Sequence, residues 1–78
     1  MIVPMRNPTR ADVAAEVRAL LGRQDKSQRW LSEQTGIGAP GLSRRLKGER
    51  DFNLDELSSI ATALGVPLSA LLPERVAS

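Results

Sequence analysis

Basic side chains are concentrated between positions 44 and 50, where Arg44, Arg45, Lys47 and Arg50 occur with Glu49 as the single acid. Guanidinium and ammonium groups bind phosphate oxygens through charge-assisted hydrogen bonds. A run of like charge is often only a solvated face, however. The run therefore indicates either a solvated surface or a contact surface for a polyanion. Which of the two applies depends on the helices and loops that contain these residues.

Three carboxylates follow this run, at Asp51, Asp55 and Glu56. Carboxylate clusters serve in acid–base catalysis and metal binding, but these three surround a predicted helix start, where negative charge is favourable in any case. The chain contains no histidine and no cysteine, which removes the commonest metal ligand, the usual general base near neutral pH and thiol chemistry. Ser43 likewise has no base that would activate it as a nucleophile. We expect no enzymatic activity, no bound metal and no cofactor.

Charge is distributed unevenly along the 78 residues. Residues 1–50 contain ten Lys or Arg and five Asp or Glu, whereas residues 51–78 contain one and four, which together give the net charge of +2. This asymmetry favours a basic face that meets a polyanion. No apolar run approaches the roughly 18 residues of a membrane helix, and the first residues do not form a signal peptide, so we expect a cytoplasmic protein.

Capping signals mark the starts of two helices. Thr9 is followed three residues later by Asp12, and Asn53 is followed three residues later by Glu56, and both pairs fit a capping box. We predict that the first of these helices ends before Gly22, because glycine commonly follows the last helical turn.

Glycine and proline delimit three further helices. Ser27 is suited to cap a second helix over residues 28–35, and Pro40 is suited to the first position of a third helix over residues 40–47. After the helix that starts at Asn53, a short fifth helix begins at Pro67. Five helices with loops of two to six residues indicate an all-α fold.

About sixteen apolar side chains recur at helical spacing in these segments, and one shared core accommodates them. They are Val13, Val17, Leu20, Leu21, Leu31, Ile37, Leu42, Leu46, Phe52, Leu57, Ile60, Ala61, Leu64, Leu68, Leu71 and Leu72. We predict one compact domain over residues 9–73, with a flexible N-terminal arm over residues 1–8 and a flexible tail over residues 74–78.

Residues 28–48 are the most informative stretch, because they combine a helix, a turn that starts at Gly36 and a second short helix. Small Ser32 lets the two helices approach each other, and Leu42 and Leu46 bury the second helix. This is the helix-turn-helix pattern, whose second helix is shaped to enter a DNA major groove.

A longer set of residues follows the layout of a known family. The matching positions are Gln28, Leu31-Ser32, Gly36-Ile37, Ser43-Arg44, Gly48, Phe52, Leu57, Ala63-Leu64-Gly65-Val66 and Leu71-Leu72. With these residues the chain resembles the Cro and lambda-repressor-like helix-turn-helix regulators, often called the xenobiotic-response-element family, over about residues 9–72. The resemblance implies a compact five-helix domain that binds an operator in double-stranded DNA, with residues 40–47 as the recognition helix in the major groove.

The resemblance also assigns roles by position. It implies base contacts by Ala39, Ser43 and Arg44, phosphate contacts by Gln28, Arg29, Arg45, Lys47, Arg50 and Asn53, and further contacts by Arg6 and Arg10 of the N-terminal arm. These roles favour DNA contact over a solvated face for the basic run.

The sequence departs from the family pattern at two places on the recognition helix. Residues 38–41 offer no side-chain hydrogen bond to a base, so direct readout rests on Arg44 with help from Ser43, and Ala39 touches a thymine methyl at most. One bidentate arginine–guanine pair discriminates against a wrong base by about 1–3 kcal/mol. Part of the sequence discrimination is therefore left to DNA shape or to the N-terminal arm. Position 45, often apolar in relatives, is the second departure because it holds Arg45.

Two functions remain open from the sequence. The first is a small sequence-specific regulator, a phage or bacterial Cro-like repressor that acts as a monomer or as a weak homodimer assembled on DNA. The second is an antitoxin-type or adaptor module of the same fold that acts mainly through a protein partner. The role of Trp30 is also open, since it lies about 100° around its helix from inward-facing Leu31 and fits partial burial, a backbone contact or a protein interface.

Overall fold

The computed structural model describes residues 5–73 and 75–76, with side chains over residues 7–73. The elements are a strand β1 (Met5–Arg6), helices α1 (Arg10–Arg23), α2 (Gln28–Thr35), α3 (Ala39–Leu46) and α4 (Leu54–Leu64), a 3-10 helix (Leu68–Leu71) and a strand β2 (Arg75–Val76). The predicted all-α class is confirmed. Of the five helices predicted from the sequence, four are α-helices and the last is a single turn of 3-10 helix in the described part of the chain.

The last helical segment is 3-10 because it has room for only one turn. Ala70 N donates to Pro67 O at 2.9 Å and Leu72 N donates to Ser69 O at 3.2 Å, which are the i to i+3 bonds of the tighter helix. Pro67 precedes the turn in an extended conformation, and Pro73 follows shortly after it. The segment still buries Leu71 completely.

The two short strands pair with each other near the ends of the chain. Met5 lies opposite Val76 and Arg6 opposite Arg75 in an antiparallel register. We predicted no strand here, because two residues are too few to show the alternation by which a strand is recognised in sequence. Residues 1–4, 74 and 77–78, on which part of the predicted flexible arm and tail falls, lie outside the described residues.

The caps predicted from sequence are present at the starts of α1 and α4. Asp12 N donates to Thr9 Oγ1 at 3.3 Å while Thr9 N donates to Asp12 Oδ2 at 3.0 Å. The corresponding distances between Asn53 and Glu56 are 2.7 and 2.9 Å. Each box satisfies two backbone groups that a helix start leaves without an intrahelical partner.

Two boundary predictions need correction. Gly22 was expected to end the first helix, yet it lies inside α1, which continues to Arg23. The left-handed residue that closes the helix is Asp25, with a φ of 55°, and the N–H groups of Asp25 and Lys26 donate back to the last turn at 3.2 and 2.9 Å. Pro40 occupies the second rather than the first position of α3, because Ala39 begins that helix.

The core is formed by the residues expected from the helical spacing. Twelve of the sixteen predicted side chains are buried, and the other four (Ile37, Phe52, Leu68 and Leu72) are half-buried against them. Ala14, which was not predicted, is also fully buried in α1. In this arrangement α3 packs against α1 and α2, so one face of α3 is covered and the opposite face is left open.

Candidate nucleic-acid interface

The turn between α2 and α3 is fixed by hydrogen bonds from its own side chains. Gly36 ends α2 with a φ of 77°, a left-handed conformation that favours glycine. Ser32 Oγ donates to Ile37 O at 2.5 Å, and Thr35 Oγ1 donates to Leu31 O at 2.7 Å. Ser32 is the small side chain that was expected to let the two helices approach each other. It also fixes the position of the Ile37 carbonyl.

The position of α3 follows from two buried leucines. Leu42 and Leu46 have 0% and 1% of their surfaces exposed, and they hold one face of the helix on the core. The start of the helix is open, since Gly38, Ala39 and Pro40 are exposed. A short helix with a buried face and an exposed first turn is the arrangement that places a helix end in a groove.

The three predicted base-contacting residues lie together on α3. Ala39 and Ser43 are four residues apart and so share one face of the helix, and Arg44 adjoins that face. Ala39 and Arg44 are exposed and Ser43 is half-buried. The structure thus places the three residues on neighbouring positions of α3, with Arg44 on the side away from the core and Ala39 and Ser43 beside the buried leucines, and their base contacts stay a prediction.

Predicted phosphate contacts lie at the ends of neighbouring helices. Gln28 and Arg29 begin α2, and both are exposed, although the Arg29 guanidinium also lies 3.4 Å from the Glu33 carboxylate. Lys47 caps the end of α3 and is exposed. An ion pair between exposed residues four apart on a helix contributes only about 0.3–0.5 kcal/mol to stability. Arg29 can therefore leave Glu33 and bind another anion at little cost.

The loop between α3 and α4 adds two exposed residues, Arg50 and Asn53. The Oδ1 atom of Asn53 is used in the α4 capping box, at 2.7 Å from the Glu56 N–H. The side-chain NH₂ group of Asn53 is a separate donor, and a helix start with an exposed donor is a common phosphate contact. Both residues are exposed, and their phosphate contacts stay a prediction.

Arg45 is the residue for which the structure departs from the sequence expectation. Its side chain is only 19% exposed, and Nε lies 3.3 Å from Oε1 of Glu56 on α4. Because the Arg45 side chain is largely buried and paired with Glu56, it is less available to a DNA phosphate than an exposed arginine. We therefore withdraw Arg45 from the set of phosphate contacts.

The N-terminal arm is described in part. Arg10, the first residue of α1, is exposed and lies 3.8 Å from the Asp51 carboxylate. A Cβ atom on Gly48 would lie 3.6 Å from Ala11 Cα, so the start of α1 is next to the loop that follows α3. Arg10 therefore lies near the loop between α3 and α4, its DNA contact stays a prediction, and the Arg6 side chain lies outside the described residues.

Trp30 is half-buried and packs against the core. Lys26 Nζ lies 4.9 Å from the centre of the indole ring, a cation–π distance. Of the interpretations left open by the sequence, partial burial is the one that the structure supports.

Two polar contacts that sequence analysis missed join distant helices. The Arg18 guanidinium on α1 donates to the Leu46 carbonyl at the end of α3, where positive charge also favours the helix dipole. Gln24 Nε2 donates to Leu64 O at the end of α4, at 2.8 Å. The partners are 28 and 40 residues apart in sequence, so neither local spacing nor periodicity could have indicated them.

Within the described residues there is no group of three or more acidic side chains arranged to hold a metal ion. The helices in the same part of the chain are each too short or too polar to span a bilayer.

Residues 17–71 match the model of a helix-turn-helix family, HTH_3, and so span α2, the turn, α3 and α4. The chain belongs to this family. The predicted resemblance is confirmed, and the helix-turn-helix chain is a small DNA-binding transcriptional regulator whose partner is double-stranded DNA. No curated protein matches the chain.

Solved structures share the fold of this helix-turn-helix domain. The restriction-modification controller protein C.AhdI from Aeromonas hydrophila has a TM-score of 0.76 at 22% identity, over 80% of this chain and 94% of that one. The clp gene regulator ClgR from C. glutamicum has a TM-score of 0.75 at 22% identity, over 80% of both chains. The hypothetical transcription factor NHTF from Neisseria has a TM-score of 0.78 at 26% identity, over 92% of this chain and 87% of that one.

Proposed function

We propose that this helix-turn-helix protein is a sequence-specific repressor of the Cro type, of phage or bacterial origin, that binds an operator with α3 in the major groove. The observation that carries the proposal is the arrangement of α3, in which Arg44 is exposed on the side opposite the buried leucines, while exposed Ala39 and half-buried Ser43 lie beside them. Repression is the simplest effect of such a domain, because occupying the operator excludes other proteins from it.

Sequence discrimination is assigned chiefly to Arg44. Its exposed guanidinium has the planar pair of donors that fits the O6 and N7 atoms of guanine, a contact that discriminates by about 1–3 kcal/mol. Ser43 supplies a second hydrogen-bonding group one residue earlier, and Ala39 presents a methyl group to a thymine methyl. Because this set is small, part of the discrimination is assigned to DNA shape.

Affinity is assigned to the surrounding exposed groups. We assign phosphate contacts on the two sides of the groove to five exposed residues, Gln28 and Arg29 at the start of α2 and Lys47, Arg50 and Asn53 after α3. Arg10 joins them, because its ion pair with Asp51 is long and exposed and so costs little to break. Arg6 is proposed to extend this surface along the N-terminal arm.

We further propose that the protein acts in the cytoplasm, without catalytic activity, as a monomer or as a weak dimer that assembles on DNA. In the dimeric case two copies would bind half-sites about 34 Å apart, one turn of the duplex. The lack of histidine and cysteine supports a binding role over a catalytic one.

Fluorescence anisotropy of a labelled random-sequence duplex tests the proposal. The wild type, Arg44→Ala and a control, Arg23→Ala, would be titrated at several salt concentrations. Arg23 is suited as control because it is an exposed arginine at the far end of α1, paired with Glu16 at 3.7 Å. We expect binding that weakens steeply with salt for the wild type, weaker binding for Arg44→Ala and no change for Arg23→Ala. Absence of salt-dependent binding by the wild type would refute the proposal.

One observation favours the second function, an antitoxin-type or adaptor module. Leu54 at the start of α4 is 64% exposed, the one large hydrophobic side chain in the described region that is so exposed, and exposed Asp51 and Asp55 lie close to it in sequence. An apolar residue among carboxylates suits a protein partner better than a phosphate backbone. Unchanged DNA binding after Arg44→Ala, together with loss of a protein partner after Leu54→Ser, would favour this alternative.

A further inference from the structure

The Arg45 side chain lies across the surface of its own helix and reaches the next one. A Cβ atom on Gly41 would lie 2.8 Å from Arg45 Nη1, so the guanidinium occupies the space that any other residue at position 41 would fill. From there Arg45 Nε approaches Glu56 Oε1 at 3.3 Å, with the two side chains 19% and 17% exposed. Gly41, Arg45 and Glu56 therefore form one contact set between α3 and α4.

The same carboxylate oxygen belongs to the cap of α4. Glu56 Oε1 accepts the Asn53 N–H at 2.9 Å while it faces Arg45. The pair thus links α3, the helix assigned to base contacts, with the start of α4. Any rotation of α3 about its axis would move Arg45 away from a carboxylate that is fixed by the capping box.

We propose that Arg45 and Glu56 are positioning residues that set how strongly α3 discriminates between DNA sequences, and this inference rests on the proposed DNA-binding function. Two leucines fix the depth of α3, but apolar contacts are non-directional and permit small rotations. The ion pair adds a charge–charge contact on the side of α4, in which the buried Arg45 Nε lies 3.3 Å from Glu56 Oε1 without forming a hydrogen bond, and its strength falls as the two groups move apart. Base readout needs side chains held within about 0.5 Å, so loss of this contact affects sequence discrimination before it affects overall affinity.

The first experiment separates positioning from phosphate contact. Arg45→Met keeps the apolar stem and removes the charge, and Lys47→Met does the same at an exposed residue. Binding to a random-sequence duplex would be measured by anisotropy at several salt concentrations. We expect the slope of log affinity against log salt to fall by about 0.9 for Lys47→Met and to stay unchanged for Arg45→Met, because the slope counts neutralised phosphates.

The second experiment measures discrimination. A preferred duplex would be selected from a random pool with the wild type, and the ratio of its affinity to that of the random duplex would be determined for each variant. We expect Arg45→Met to lower this ratio about tenfold, comparable to the loss of one well-placed base contact. Lys47→Met should weaken both duplexes alike and leave the ratio unchanged.

Glu56→Gln gives an independent test from the partner side. Glutamine keeps the oxygen that accepts the Asn53 N–H, so the cap is retained while the charge that faces Arg45 is removed. We expect it to lower the ratio as Arg45→Met does, and the double variant to lower it no further. Arg45→Lys, which retains a positive charge at the position, should recover part of the ratio. Thermal unfolding by circular dichroism would establish which variants are folded.

Three results would overturn the inference. A reduced salt slope for Arg45→Met would make Arg45 a phosphate contact, and an unchanged ratio in folded Arg45→Met and Glu56→Gln would make the pair purely structural. A wild type that binds with salt dependence but selects no sequence would remove the inference and leave DNA binding intact. A wild type that binds no DNA would remove both, which distinguishes failure of the proposed function from failure of the inference.

Discussion

Gly41→Ala tests the contact between α3 and α4 through protein stability alone, without DNA. Alanine within a helix is normally more stable than glycine by about 1 kcal/mol. At position 41 the added Cβ would meet Arg45 Nη1 at 2.8 Å, and the guanidinium is the mobile end of a flexible side chain, so it would move away. The gain in helix propensity would then be offset by a weakened ion pair with Glu56.

The size of this offset follows from the burial of the pair. Exposed ion pairs contribute about 0–1 kcal/mol, and breaking a fully buried one costs about 3–5 kcal/mol. With side chains 19% and 17% exposed, Arg45 and Glu56 lie between these limits, and we take the loss as about 1–2 kcal/mol. Gly41→Ala is therefore expected to change the free energy of unfolding by between about 0 and −1 kcal/mol.

Gly22→Ala is the matched control for this change. Gly22 lies inside α1, within one turn of the helix end, and a Cβ atom there would have no atom within 4 Å. Gly22→Ala should therefore show the undiminished gain of about 0.5–1 kcal/mol. Urea unfolding followed by the fluorescence of Trp30, the single tryptophan, would show the difference as a shift of about 1 M in midpoint, because m is about 1 kcal/mol/M for a chain of this size.

A double variant completes the test. In the Arg45→Met background the guanidinium is absent, so Gly41→Ala should become as stabilising as Gly22→Ala. If Gly41→Ala already equals Gly22→Ala in the wild-type background, the guanidinium does not constrain position 41 and the argument for the contact set fails.

Three further variants test separate features of the fold by urea unfolding. Asp25→Gly should stabilise the protein by about 0.5–1 kcal/mol, because the φ of 55° at this position favours glycine, and a loss of stability would contradict the left-handed conformation. Ser32→Ala should cost about 1 kcal/mol through the lost hydrogen bond to Ile37 O, whereas the exposed control Ser58→Ala should change stability little. Leu42→Ala should cost about 2–5 kcal/mol, because the side chain is fully buried, and a cost below 1 kcal/mol would mean that α3 is not held on the core.

Features that depend on neighbours in sequence were predictable. The capping box of Asn53 and Glu56 uses two residues three apart, and Gly36 ends α2 because its φ of 77° is costly for other residues. The same local rules also explain the error at Gly22. A glycine signals a possible helix end, but the helix ends where the backbone reverses, and Asp25 adopts the required conformation three residues later.

Features that join distant parts of the chain were not predictable. Met5 pairs with Val76 through backbone atoms, which carry no sequence signal. The Arg18 contact with the end of α3 likewise depends on how α1 lies against α3. The outward direction of Arg44 could be predicted because α3 is short and its two leucines fix which side faces the core, but the direction taken by Arg45 depends on a partner on another helix.

The departures of this chain from the family pattern at positions 41 and 45 have a common structural cause. A long arginine at position 45 needs space over the preceding turn, which Gly41 provides, and an anion at its end, which Glu56 provides. Gly41 and Arg45 are each unfavourable alone, since glycine weakens a helix and a covered charge without a partner is costly, whereas Glu56 also serves the cap of α4. Gly41 is therefore part of the packing of α3, and this packing leaves the side chain of Arg44, the proposed base-reading residue, exposed.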